Sequence, residues 1–135
     1  MKSIATLLST MILLAAMAFA QSPSHQMQPF PSSLKNAKLV YVTSYDGSEY
    51  SPDPLPADRE AIASVQKAIQ QWGRYVLVYK PAGADMIIAV QSRPTEDVLA
   101  VYDPRLSHSQ YLWRETQAGG LQQGETPLVT DLKQA

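Results

Sequence analysis

From Lys38 to Tyr45 the side chains alternate, with Val40 and Val42 on one side and Leu39, Tyr41, Thr43 and Tyr45 on the other, the period of a β-strand. Asp46-Gly47 ends this strand, and three prolines between Ser51 and Pro56 predict a loop. The period then changes. Between Ala57 and Trp72 the apolar positions Ile62, Val65, Ile69 and Trp72 recur at three- and four-residue steps beside Ala61 and Ala68, which predicts a helix with one buried stripe. Asp58 and Glu60 suit the positive end of its dipole, and Gly73 is its stop.

A second strand is predicted from Tyr75 to Tyr79, followed by a turn at Lys80–Ala84. A third, Asp85 to Gln91, is apolar on both faces from Met86 through Val90, as expected of a central strand covered on both sides. Val98 to Tyr102 and Gln110 to Thr116 read as two more strands forming a hairpin. Thr126-Pro127 predicts an N-cap with proline in the first helical position, opening a short C-terminal helix through Leu128, Val129 and Leu132. These elements imply an α+β fold. It has a mixed, mainly antiparallel sheet of about five strands, one long helix on one face and a short C-terminal helix. Residues 34–135 form a single domain.

The predicted strand phases separate two faces. Val40, Val42, Val76, Val78, Leu99, Val101 and Leu112 lie beneath the long helix, while Tyr41, Tyr45, Tyr75, Tyr79, Tyr102, Tyr111 and Trp113 lie opposite. Tyrosine and tryptophan supply rigid contact area with a polar handle. Tyr41, Tyr75, Tyr79, Tyr102, Tyr111 and Trp113 are therefore the candidate binding residues.

The N-terminal segment changes the setting. Lys2, the apolar run Met11–Met17 and Ala18-Phe19-Ala20 read as a secretory signal peptide cleaved after Ala20. Residues 21–33, rich in Pro, Ser and Gln, read as a flexible lead-in. The absence of cysteine excludes disulfides, a lipid-modified cysteine, a thiol nucleophile and thiolate metal sites. An exported domain without bridges suits a bacterial periplasm or secretion route. Eleven Lys and Arg against twelve Asp and Glu, without a run of either sign, give no electrostatic footprint for nucleic acid. No stable membrane anchor is expected after cleavage.

Catalytic patterns are sparse. Ser107 and His108 with Asp103 hold the residue types of a nucleophilic triad, but no Gly-x-Ser-x-Gly elbow accompanies them and a polar hairpin loop accounts for all three. His25 lies in the lead-in, so a two-histidine metal site is not expected. Asp46, Glu49, Asp53, Asp58 and Glu60 are oxygen donors of the kind calcium takes, but their spacing does not fit an EF-hand. Glu96-Asp97 reads as a solvated strand entrance, and Gly83 and Gly119-Gly120 lack the lysine and hydroxyl of a phosphate loop. No cofactor is called for.

The run Trp72-Gly73-Arg74-Tyr75-Val76-Leu77-Val78-Tyr79, followed by Ala84-Asp85-Met86-Ile87-Ile88-Ala89-Val90, resembles the TolB amino-terminal domain and curli-assembly lipoprotein class over residues 38–92. The resemblance implies a periplasmic α+β module that works in assembly or transport through protein contacts, with no catalytic residues to carry over. Unlike the lipoproteins of that class, this chain has no cysteine for lipid attachment. The expected function is non-enzymatic binding of an envelope protein or polymer through the aromatic face or an exposed edge strand. The alternatives are a small hydrolase and a small-molecule carrier with a pocket under the sheet.

Overall fold

The computed structural model describes residues 27–122 and 126–135; the segment read as a signal peptide and residues 21–26 of the lead-in lie outside them. The strands are β1 (Leu39–Ser44), β2 (Val76–Val78), β3 (Met86–Ser92), β4 (Asp97–Tyr102) and β5 (Trp113–Gln117). The helices are α1 (Arg59–Trp72) and α2 (Pro127–Gln134), with single 3-10 turns at Ser32–Leu34 and Pro56–Asp58. Five strands form one sheet in the order β2-β1-β3-β4-β5. β1 runs parallel to β2 and β3, whereas β4 is antiparallel to both β3 and β5. The antiparallel ladders hold the larger share of paired positions, and the fold is α+β, as the hydrophobic pattern implied.

α1 begins after the 3-10 turn and buries Ile62, Val65 and Ile69. It ends at Gly73, whose φ of 77° lets its N–H return to the Ile69 carbonyl at 3.3 Å. The second helix packs against β4 and β5 through Leu128, Val129 and Leu132. Thr126 is its N-cap residue and Pro127 opens its first turn, as predicted, but Thr126 has a φ of 39° and its hydroxyl donates to the Gln122 carbonyl instead of to the helix.

β2 and β3 both flank β1, so residues 79–85 must cross the start of β1 without a helix. Asp85 fastens this crossing. Its Oδ2 accepts the N–H groups of Lys38 and Leu39 at 3.0 and 2.9 Å, while its own N–H donates to the Leu39 carbonyl. These bonds hold its carboxyl below the ordinary carboxylate range.

The core has two layers. Val40, Val42, Met86, Ile88, Val90, Leu99 and Val101 meet the helices on one face. Tyr41, Ile87, Ala89, Val98, Ala100 and Tyr102 form the other, joined by Tyr45 and Tyr50. Central β3 is buried on both faces from Met86 to Val90, as its continuous apolar run predicted. Register corrects four assignments. Leu77 pairs with Val40, which turns Leu77 toward the helices and puts Val76 and Val78 opposite. Trp113 pairs with Val101 and is fully buried on the helix side, and Tyr75 joins that same cluster.

The lead-in is also corrected over its described part. Met27 and Phe30 pack against the helix-side core, and the Gln28 carbonyl accepts the Trp113 indole N–H at 2.8 Å. The described fold thus includes residues before Leu34.

Candidate functional site

The tyrosines of the second face are covered by the chain itself. After β1, residues 46–56 fold back over the sheet and receive its hydroxyls: Tyr41 donates to the Pro52 carbonyl at 2.7 Å, Tyr45 to Gly47 at 2.9 Å and Tyr102 to Ser48 at 3.3 Å. Thr43 Oγ1 adds a bond to the Ser51 carbonyl at 2.8 Å. Tyr50, which the strand pattern did not single out, turns inward at the bridge with Tyr45 and meets Tyr102 edge-to-face at 5.0 Å. Burial pushes the Tyr102 phenol well above its ordinary value, with Tyr45 and Asp46 adding to the effect, and raises Tyr50 as well. These side chains therefore hold a strap in place.

Of the candidate binding residues, Tyr41, Tyr75, Tyr102 and Trp113 are buried, while Tyr79 and Tyr111 are 69% and 43% exposed. The six do not form one surface. Trp113 and Tyr75 face the helices, Tyr41 and Tyr102 lie under the strap, and Tyr79 follows the edge strand.

The residues considered for chemistry are held apart. Asp103 takes the Arg105 guanidinium through both oxygens, at 2.9 and 2.8 Å, which lowers the Asp103 pKa. Ser107 Oγ pairs with Ser109 Oγ at 2.9 Å, and the His108 ring stacks on Tyr50 at 4.7 Å. Asp46 accepts the N–H groups of Ser48 and Glu49, an Asx turn within the strap. Asp97 is buried, not a solvated entrance: it accepts from Ser92 Oγ, Arg93 N and Leu121 N and ties the β3–β4 turn to the segment before α2. Among the described residues no group of three His, Asp or Glu comes together to hold a metal ion. A cleft of about 410 Å³ lies between Pro54–Pro56 and the first turns of α1, and one of about 250 Å³ lies between Ser33–Ala37, Asp85 and Arg105.

The sheet edges differ in what they leave open. At β5, Gln28 behaves like a neighbouring peptide group: its Nε2 donates to the Leu112 carbonyl at 3.2 Å and its Oε1 accepts the Arg114 N–H at 3.3 Å. At β2 the Val76 N–H donates inward to the Lys38 carbonyl at 2.8 Å. Because backbone groups alternate in direction along a strand, the N–H and C=O of Leu77 point outward from the sheet. Val76 is 61% exposed and Tyr79 69% exposed along this edge. Arg74, just before it, lies over the rings of Tyr75, Trp72 and Phe30 at 5.1, 5.6 and 5.8 Å. The exposed Val76 hints at this edge in retrospect, since a Val-Leu-Val strand buried on both sides would leave no large apolar side chain in water.

Compared with protein families, curated proteins and solved structures, the chain matches no family model, no curated protein and no solved structure.

Proposed function

We propose that this chain is a non-enzymatic binding or assembly module of the bacterial envelope, which takes up an extended segment of a partner protein as an added strand against β2. The observation that carries this reading is the asymmetry of the sheet edges. Gln28 engages the Leu112 carbonyl and the Arg114 N–H at the start of β5, whereas β2 leaves the Leu77 peptide groups outward beside exposed Val76 and Tyr79. Main-chain hydrogen bonds to such an edge supply affinity, and alternate side chains supply selectivity. The separate engagement of Asp103, Ser107 and His108 supports a binding role over a hydrolytic one. The signal-like segment at 1–20 supports export, and among the described residues no helix is long and apolar enough to cross a membrane.

The test is position-specific photo-crosslinking in a bacterial host exporting the full chain. A crosslinking residue at Val76 or Tyr79 is expected to give discrete adducts that the same residue at Gln70, exposed on α1, does not give. Equal adducts at all three positions, or adducts only at Gln70, would overturn the proposal.

A further inference from the structure

The strand that β2 accepts has a definable chemistry. Resting on the strand-addition reading above, we infer that the occupant is an extended protein segment with acidic residues flanking a short apolar stretch, and that a second copy of this chain is selected against. The argument begins with charge. The edge sequence Arg74-Tyr75-Val76-Leu77-Val78-Tyr79-Lys80 places an exposed cation at each end of the apolar strand. Among the described residues neither Arg74 nor Lys80 has a carboxylate partner. Asp85, the acid next along the chain, is engaged by the amides of Lys38 and Leu39. An incoming strand with carboxylates at both ends thus meets two unneutralised cations, while its middle covers Val76.

Register explains why the partner is not another copy. The outward groups of Leu77 make it the natural centre of a two-fold antiparallel pair, with Leu77 opposite Leu77 and Val76 opposite Val78. The chain bends at residues 74–75 and 79–80, beyond these three positions, so the pair brings the Arg74 end of each strand to the Lys80 end of the other. Like charges gathered at both ends oppose such a pair, and basic residues on edges are a recognised block to self-association. Two such repulsions arise in every symmetric pair. The same cations that block self-pairing attract an acidic strand, so one device gives both exclusion and choice.

Two measurements on the full chain test this. The first titrates it with three synthetic peptides sharing an alternating Val-Thr centre and flanked by Glu, Ser or Lys, at low and high salt. The Glu-flanked peptide is expected to bind at least tenfold tighter than the Ser-flanked one, with the gap closing at high salt, and the Lys-flanked one weakest. The second places Lys80→Glu in the chain, which brings a carboxylate to the Arg74 end of the two-fold pair, and follows mass by sedimentation. The variant is expected to dimerise where the parent stays monomeric, and to lose its preference for the Glu-flanked peptide. Equal binding of the Glu- and Ser-flanked peptides, with crosslinks still at Val76, would overturn the charge inference and leave strand addition standing. Crosslinks absent from Val76 and Tyr79 would remove both. Dimers of the parent chain, or a monomeric Lys80→Glu variant, would overturn the exclusion of self-pairing.

Discussion

Trp113→Ala separates a buried anchor from a binding-surface aromatic. Trp113 is fully buried on the helix side, and its indole N–H is the donor that fixes the Gln28 carbonyl at 2.8 Å. Truncating a buried Trp to Ala costs about 3–5 kcal/mol through lost transfer energy and the cavity left behind. The Gln28 carbonyl also loses its donor, and Gln28 with it the fixed position from which it reaches Leu112 and Arg114. Since small domains are stable by only about 5–15 kcal/mol, the variant is expected to sit at the edge of folding. A fall in Tm of roughly 12–40 °C follows from about 4–8 °C per kcal/mol for a domain of this size. Urea unfolding followed by far-ultraviolet circular dichroism reads the change, with a lower midpoint at unchanged slope. Trp113→Phe is expected to lose less, because most of the ring remains. A shift below about 0.5 kcal/mol, the usual effect of an exposed substitution, would refute this placement of Trp113.

Further outcomes follow from the strap, the helix dock and the titrating groups. Tyr41→Phe removes the bond to Pro52 and is expected to cost about 0.5–1.5 kcal/mol and speed proteolysis within residues 46–56. A Cβ on Gly120 would meet Leu128 Cγ at 2.5 Å, so Gly120→Ala is expected to displace α2 and cost about 1–3 kcal/mol, read by hydrogen exchange at Leu128–Leu132. Asp46, Asp85 and Asp103 have pKa values lowered in the fold, so the stability they confer is present above their unfolded values and lost as pH falls through the folded ones. Urea midpoints are expected to drop below about pH 4, with Asp85→Asn flattening that limb. For Tyr102 the sign reverses: burial raises its pKa, so stability is present below about pH 10 and lost above it, and Tyr102→Phe is expected to flatten the alkaline limb.

Much of the architecture could be read from hydrophobic period. The α1 stripe and the doubly covered β3 each repeat one signal over enough positions to settle burial, and β4 and β5 are legible as a pair though not in phase. Phase failed where strands are short. β2 has three residues, Val-Leu-Val, apolar in either register, and only its pairing with β1, Leu77 beside Val40, shows which side Leu77 takes. At β5 the Leu112 N–H bonds to the carbonyl of Val101, whose registered partner is Trp113, and one residue of offset reverses every side chain. Edges are less legible still. That Gln28 reaches Leu112 and Arg114 joins residues separated by over eighty positions, a relation no local pattern contains.

The Gln28 contact also bears on how many molecules one copy can join. A sheet open at both margins can act as a link, accepting a strand on each side and propagating into a fibre. With a glutamine amide seated at the start of β5, the strand addition proposed above has its open margin at β2, and the β5 margin is interrupted where it begins. On that proposal trimming the chain past Gln28 is expected to open the Leu112 carbonyl and the Arg114 N–H to a second strand.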